Sequence, residues 1–343
     1  MNNPYTLVFG KAPSEMISRM TQFDEVIDNF TSEVSSQQVY MVTGVRGSGK
    51  TVFMTEIAGR LRMQEDWIVV ELNPEKDLLT ALAAKLASEN KLAQLFKRSK
   101  INLSMFGIGL EVSGEAPIAD IETAVAKMLE TLKKQGKRVL ITVDEVVNNQ
   151  YVKEFVAAYQ ILIRQDLPVY LLMTGLYDNI NSLQNEKSLT FLYRAPKIEL
   201  APLNMGAIAR NYMENFKIEK DRAVKMAKVT RGYSFAFQVL GYFTWENGGD
   251  YKKAISKFRQ YLDEYVYDKV WSELSHKDRQ ILAAIANHPE GKIADIRAEL
   301  DIETNEFNPY RKRLIKKGII NGYQRGIVTF TLPMFEDYVT ENS

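Results

Sequence analysis

One run of eight residues combines glycines, a lysine and a hydroxyl side chain at the spacing of a phosphate-binding loop. Residues 44–51 fit the pattern G-x-x-x-x-G-K-[ST]. Glycines let the backbone turn tightly, so that consecutive N–H groups can converge on one anion. Lys50 could then reach the outer phosphates of a nucleotide, and the Thr51 hydroxyl could bind Mg²⁺. The expected phosphate-binding residues are Gly44, Val45, Arg46, Gly47, Ser48, Gly49, Lys50 and Thr51.

A second stretch ends an apolar segment in two adjacent carboxylates. Residues 138–143 read Arg-Val-Leu-Ile-Thr-Val and predict a buried strand, which Asp144 and Glu145 follow directly. Downstream of a phosphate loop, we expect Asp144 to hold Mg²⁺ and Glu145 to activate the attacking water as general base. The alternative is a buried strand with a solvated acidic end.

Two further polar side chains accompany predicted strands. Thr174 lies near the end of the apolar run 168–175, where it could contact the γ-phosphate or the attacking water, or simply cap the strand. Arg194 precedes the last predicted strand, 195–200. This arginine is either solvated or completes the site of a neighbouring copy of the chain.

These residues require a parallel α/β scaffold. Short β-branched and apolar runs alternate with segments of helical periodicity, a pattern typical of a parallel sheet covered by helices. Residues 101–112 alternate around Gly107 and Gly109 and predict an inserted β-hairpin. The hairpin would either cover a sheet edge or contact a partner such as DNA. The strands are expected at 39–43, 67–72, 138–143, 168–175 and 195–200.

The remainder of the chain predicts two smaller parts. Residues 202–271 are helical throughout and indicate an α-helical lid. Residues 272–343 predict a separate unit of three short helices and a hairpin around Gln324 and Arg325, which is typical of a winged helix. The expected domains are therefore a P-loop core at 1–201, with a lead-in over 1–38, then the lid at 202–271 and the winged helix at 272–343.

Composition narrows the function classes. The chain has 343 residues, 45% of them hydrophobic and 25% charged, which is typical of a soluble globular protein. It contains no cysteine and two histidines, which excludes disulfides and argues against a zinc site. The net charge of +1 gives no bulk argument for nucleic acid. No apolar run has the length of a membrane span and the first residues lack a signal-peptide pattern, so we expect a cytoplasmic protein without a membrane partner.

The order of these parts resembles the AAA+ ATPases. The resemblance covers nearly the whole chain and is specific at Gly44–Thr51 and Val139–Glu145. It looks closest to the branch that holds origin-recognition-type initiators and signal-transducing STAND ATPases, and to bacterial AAA-family ATPases with a helical lid and a winged helix. The resemblance implies ATP with Mg²⁺, Thr174 at the sensor-1 position and Arg194 near the arginine-finger position. It also implies adenine contacts from Pro13–Arg19.

One position departs from the initiator pattern. The helix after Gly232 carries no arginine where initiators have a sensor-2 arginine, and Arg231 lies before that glycine. We therefore expect ATP hydrolysis to be slow. The resemblance separately implies that the nucleotide state serves as a conformational switch.

Two uses of such a switch compete, and a third is weaker. A DNA-acting ATPase would contact duplex DNA through its winged helix. A STAND-like signalling or defence ATPase would instead bind protein through that module and form a homo-oligomer with ATP. The third option is a nucleotide-binding scaffold with negligible turnover. The candidate DNA contacts are Tyr310, Arg311, Arg313, Lys316, Lys317 and Arg325.

Overall fold

The computed structural model describes residues 2–8 and 13–343, so residues 1 and 9–12 of the expected lead-in lie outside the described part. The chain divides into two compact units. The sheet unit consists of Met20–Thr43 and Lys50–Glu199. The helical unit consists of the described residues up to Arg19 together with Gly44–Gly49 and Leu200–Ser343.

A five-stranded parallel sheet forms the centre of the sheet unit, which confirms the predicted α/β class. The strand order is β2-β3-β4-β1-β5. Strands β1, β3 and β4 are buried along nearly their whole length, which explains their continuous apolar sequences. The strands are β1 (Val39–Thr43), β2 (Trp67–Leu72), β3 (Arg138–Val143), β4 (Val169–Gly175) and β5 (Lys197–Glu199).

Seven α-helices and two 3₁₀ segments accompany this sheet in the described residues. Side-chain caps begin several of them: Asp120 accepts from the Thr123 N–H, and Asn149 accepts from the Val152 N–H. The helices are α1 (Met20–Thr31), α2 (Lys50–Arg62), α3 (Leu78–Ser88), α4 (Asn90–Arg98), α5 (Ile121–Lys134), α6 (Gln150–Arg164) and α7 (Tyr177–Gln184), and the 3₁₀ segments are Ser104–Phe106 and Lys187–Arg194.

The helical unit contains helices and one short antiparallel strand pair. Ser275 and Asp278 form a capping box at the start of α13. The elements are α8 (Met205–Phe216), α9 (Lys220–Thr230), α10 (Ser234–Glu246), α11 (Tyr251–Leu262), a π-helical turn (Asp263–Tyr267), α12 (Asp268–Ser272), α13 (His276–Asn287), α14 (Ile293–Leu300), α15 (Thr304–Lys316), β6 (Ile320–Asn321), β7 (Thr329–Phe330) and α16 (Phe335–Asn342).

The predicted hairpin at residues 101–112 is wrong, because the structure has no strand there. The side chain of Asn102 bonds to the backbone of the loop, where a hairpin would have bonds between strands. Its amide donates to the Glu115 carbonyl at 2.8 Å, and its oxygen accepts from the Ser104 N–H at 3.1 Å. Gly107 then ends the 3₁₀ turn in the left-handed conformation. The alternating apolar residues of this loop point into the core instead of forming a sheet face; they are Ile101, Leu103, Ile108 and Leu110.

The predicted lid, residues 202–271, and the predicted winged helix, residues 272–343, both belong to the helical unit. One apolar core runs through both segments of the helical unit. The Tyr267 ring lies 4.8 Å from the Phe335 ring and 5.8 Å from the Tyr338 ring, measured between centroids. These aromatic contacts join the π-helical turn to α16, so the expected boundary at residue 272 crosses a continuous core.

None of the helices that the structure describes is both long enough and apolar enough to cross a membrane.

Replacing Asn102 tests the account of the 101–112 loop. We expect Asn102→Ala to lower the free energy of unfolding by about 1–3 kcal/mol, because the Ser104 N–H and the Glu115 carbonyl lose hydrogen bonds to a buried side chain. Asn185→Ala, at an exposed position of the same unit, should change it by less than about 0.5 kcal/mol. Urea denaturation measures both, and equal effects would contradict the assigned role of Asn102.

Candidate functional site

The glycine-rich loop, residues 44–49, belongs to the helical unit. Gly47 and Gly49 have φ angles of 74° and 90°, which glycine adopts without steric cost. The Ser48 N–H donates to the Val45 carbonyl at 3.1 Å and closes a tight turn. The Arg46 guanidinium pairs with the Glu273 carboxylate at 2.9 Å. The loop therefore has the compact backbone that its glycines predict.

Lys50 and Thr51 continue the motif in the sheet unit, where they begin α2. Lys50 is buried although it is a lysine. The Thr51 hydroxyl donates to the Asp144 Oδ2 at 2.7 Å. The structure thus brings together the two residues that the sequence predicts as metal ligands.

Thr174 completes this group because β4 lies between β1 and β3 in the sheet. Its hydroxyl donates to the Asp144 Oδ1. The same hydroxyl accepts from the Glu145 N–H at 3.2 Å, and the Asp144 Oδ1 accepts from that N–H at 3.1 Å. The Asp144 carboxylate therefore accepts hydrogen bonds at both of its oxygens. In this arrangement Thr174 acts directly on the orientation of Asp144.

Glu145 adopts the left-handed conformation, with φ of 52°, which is uncommon for a residue with a side chain. The turn lets the chain reverse at once: Val146 is fully buried and its N–H donates to the Thr174 carbonyl at 2.8 Å. The Glu145 side chain is exposed. Local backbone strain thus places a carboxylate in solvent directly beside the buried end of β3.

The oxygen donors of Thr51 and Asp144 fit the preference of Mg²⁺ for hydroxyl and carboxylate ligands. Among the described residues, no group of three or more histidine, aspartate or glutamate side chains could hold a metal ion by itself. A cation here would therefore need further oxygens, which nucleotide phosphates and water supply in sites of this kind.

Two arginines of the sequence analysis lie in different surroundings. Arg194 ends the 3₁₀ segment Lys187–Arg194 and is exposed. Arg231 bonds within the helical unit instead: its Nη1 donates to the Leu332 carbonyl at 3.0 Å and to the Phe330 carbonyl at 3.3 Å, and its guanidinium pairs with Glu336. Arg231 thereby links the end of α9 to the C-terminal segment.

Some of the candidate DNA contacts are held by neighbouring side chains or backbone, and others are exposed. The Arg313 guanidinium donates to the Asp278 Oδ1 at 2.6 Å and lies 4.9 Å from the centre of the Tyr310 ring. Arg311 packs against Gly322, where an added Cβ would lie 2.4 Å from its Nη2. Lys316 and Arg325 are exposed, and Lys317 is partly exposed.

The sequence matches two family models, and the structure is similar to solved structures of known proteins. Residues 27–188 match the family described as an ATPase domain predominantly from Archaea, and residues 264–339 match a domain of unknown function. The Walker-type ATPase PABY2304 of Pyrococcus abyssi is similar in structure over 94% of this chain and 96% of its own, at 15% identity and a TM-score of 0.66. The Aeropyrum pernix ORC2 protein, in ADPNP–ADP complexes, is similar over 97% and 95%, at 14% identity and a TM-score of 0.61.

The chain therefore shares the fold of these two proteins over nearly its whole length, and its sheet unit contains most of the matched ATPase domain. At these identities the likeness to solved structures concerns the fold. No curated protein matches the chain in sequence.

Two further residues, Tyr233 and Lys312, are not predicted from the sequence and become apparent in the structure. Tyr233 donates its hydroxyl to the Arg46 carbonyl of the glycine-rich loop at 2.5 Å. The only signal in the sequence is Gly47, a glycine that the motif does not require. Lys312 is exposed on α15, one helical turn before Lys316. The sequence does not distinguish it from the partly buried arginines on either side of it.

Two buried threonines on adjacent strands separate the effect of the Asp144 contact from that of burial. We expect Thr174→Val to lower the free energy of unfolding by about 2 kcal/mol, because Asp144 and the Glu145 N–H lose a partner. The Thr142 hydroxyl makes no hydrogen bond with the described residues, so Thr142→Val should be neutral or slightly stabilising. Urea denaturation distinguishes the two, and equal losses would contradict the assigned contact.

Proposed function

We propose that the chain binds Mg²⁺–ATP, hydrolyses it slowly and uses the nucleotide state as a conformational switch. The observation that carries the proposal is the hydrogen bond between the Thr51 hydroxyl and the Asp144 carboxylate, directly after a glycine-rich phosphate motif. In P-loop ATPases a hydroxyl and an acidic residue in this order hold the magnesium ion of the nucleotide.

Each residue of the group has a role in this proposal. Residues 44–49 provide backbone N–H groups, and Lys50 provides a positive charge for the phosphates. Thr51 and Asp144 hold Mg²⁺, which neutralises charge on the phosphates. Glu145 accepts a proton from the attacking water, a role that its exposed carboxylate supports. Thr174 fixes Asp144 through its hydroxyl and senses the γ-phosphate from the end of β4.

Slow turnover is supported by the contacts of Arg231. Its guanidinium binds the carbonyls of Phe330 and Leu332 and the carboxylate of Glu336. An arginine held in this way by the C-terminal segment serves the structure of the helical unit instead of the charge that develops on a phosphate. We propose that its main effect is to couple α9 to α16, as expected for a switch.

Arg194 is proposed to act on a neighbouring copy of the chain. It is exposed at the end of its 3₁₀ segment, beside Tyr193, which is 74% exposed. An exposed cation next to an exposed aromatic ring suits a contact between copies, in which the arginine would stabilise charge on the phosphates of the partner's nucleotide.

ATP turnover by matched variants tests the proposed chemistry. We expect Glu145→Gln to bind ATP with near wild-type affinity and to hydrolyse it at least about 100-fold more slowly, because the general base is lost. Lys50→Ala should weaken binding itself. Arg194→Ala should bind ATP normally but turn over more slowly at high protein concentration. Phosphate release and calorimetric binding measure these effects.

Two outcomes would contradict the proposal. If wild type and Glu145→Gln release phosphate at the same rate, Glu145 is not the general base. If wild type binds ATP but neither protein turns it over, the chain is a nucleotide-binding scaffold instead of an enzyme.

A contact with duplex DNA is proposed for the C-terminal module. We propose that residues 272–343 act as a winged helix, in which α15 and the segment between β6 and β7 face the duplex. Lys312, Lys316 and Arg325 are exposed on these elements, and Tyr323 is 89% exposed. Exposed cations of this kind contact phosphates and make the affinity dependent on salt.

Charge reversal on this surface tests the DNA proposal. We expect Lys312→Glu/Arg325→Glu to lower duplex affinity by about 100-fold and to flatten its salt dependence, because two phosphate contacts are lost. Lys252→Glu/Lys253→Glu changes the same net charge at exposed positions of α11 and should retain most of the affinity. Fluorescence anisotropy at several salt concentrations measures both pairs.

If wild type binds no duplex at low salt, or if the two pairs weaken binding equally, this surface does not recognise DNA. A protein partner of the C-terminal module, as in a STAND-like signalling ATPase, would then be the better explanation.

A further inference from the structure

Three consecutive carbonyls of the glycine-rich loop accept hydrogen bonds from three consecutive residues of the helical unit. We name this segment, Tyr233–Phe235, the α10 turn. The Tyr233 hydroxyl donates to the Arg46 carbonyl at 2.5 Å, and the Phe235 N–H donates to the Gly47 carbonyl at 3.1 Å. The Ser234 hydroxyl donates to the Ser48 carbonyl at 2.9 Å.

Arg19 adds a fourth contact to the same side of the loop. Its Nη2 donates to the Ser48 carbonyl at 2.9 Å and to the Ser234 hydroxyl at 3.0 Å. The loop is therefore held by several hydrogen bonds to consecutive carbonyls and not by a single contact.

Because the peptide group is planar, the directions of these carbonyls also fix the directions of the N–H groups that follow them. In a planar trans peptide the C=O and the following N–H point to opposite sides. With the carbonyls of residues 46–48 held by the α10 turn, the N–H groups of Gly47 and Gly49 point away from it, while the Ser48 N–H donates to the Val45 carbonyl. N–H groups directed to one side of a glycine-rich loop can form a site for an anion.

Tyr233 packs so closely against Gly47 that a side chain at position 47 would collide with it. A Cβ added at Gly47 would lie 2.1 Å from the Tyr233 hydroxyl oxygen and 2.9 Å from its Cζ. The phosphate-loop motif requires glycine at positions 44 and 49 but not at 47. The glycine at position 47 therefore serves the packing of Tyr233 as well as its own φ of 74°.

The Tyr233 side chain is well suited to a fixed donor role. The residue is 5% exposed, and burial raises the pKa of its hydroxyl well above the usual value. Burial therefore favours the protonated hydroxyl, which is the form that donates to the Arg46 carbonyl.

We propose that Tyr233 is a positioning residue for the phosphate loop. Its hydroxyl holds the Arg46 carbonyl, so that N–H groups of the loop face the phosphates of ATP. The inference rests on the proposed function, since it concerns the same nucleotide. Tyr233 acts through the backbone of the loop and does not itself contact the reacting atoms. Its loss should therefore weaken ATP binding more than it slows the chemical step.

The test compares two tyrosines that make the same kind of hydrogen bond. Tyr233→Phe removes only the hydroxyl that reaches the loop. Tyr212→Phe removes a buried hydroxyl of the same unit that donates to the Phe237 carbonyl at 2.7 Å instead of to a carbonyl of the loop. ATP affinity is measured by calorimetry, KM and kcat by phosphate release, and thermal unfolding is followed without nucleotide.

We expect Tyr233→Phe to raise Kd and KM for ATP about tenfold with kcat within about twofold of wild type. Tyr212→Phe should lower the unfolding temperature comparably and leave Kd unchanged. Wild-type Kd in Tyr233→Phe, tighter binding, or equal weakening in both variants would overturn the inference while the proposed function stands. A wild type that binds no ATP would overturn the proposed function itself.

Discussion

The carboxylate of Asp144 is the constraint on which the sheet unit's candidate site depends. It accepts from the Thr51 hydroxyl at the start of α2, from the Thr174 hydroxyl at the end of β4 and from the N–H of Glu145. These hydrogen bonds join the ends of separate elements at one acidic group. The strand order makes this possible, because β4 lies between β1 and β3 and carries Thr174 to the same edge of the sheet.

The glycine-rich loop is constrained differently. Its backbone is fixed by hydrogen bonds from the α10 turn to the carbonyls of residues 46–48. The Arg46 side chain also pairs with Glu273, next to α12. A movement of the loop on nucleotide binding would therefore change contacts with segments far along the chain. This is the kind of linkage that a nucleotide-dependent switch requires.

Much of this architecture could be predicted from the sequence, because its signals are local. The glycine spacing of residues 44–51, the apolar strand before Asp144 and the capping box at Ser275 each depend on neighbours in the chain. The parallel sheet followed from the alternation of strand and helix patterns. Thr51 and Asp144 were each expected to hold Mg²⁺, from the motif and from its order in the chain.

What the sequence did not reveal depends on contacts between distant residues. The alternation at 101–112 indicated a strand, but the side chain of Asn102 bonds to the Glu115 carbonyl and stabilises a loop. The role of Tyr233 depends on a residue 187 positions away, and that of Arg231 on carbonyls about 100 positions away. Periodicity gives no information about such partners, so they become visible only in the folded structure.

The most direct test of the account is the effect of Mg²⁺ on ATP binding by wild type and by Asp144→Asn. Calorimetric titration with ATP, in excess Mg²⁺ and in excess EDTA, gives the affinity of each protein. The account predicts that Mg²⁺ tightens binding by wild type at least about tenfold and has a much smaller effect on Asp144→Asn, since the variant loses a charged metal ligand. Equal tightening by Mg²⁺ in both proteins, or no ATP binding by wild type under either condition, would contradict it.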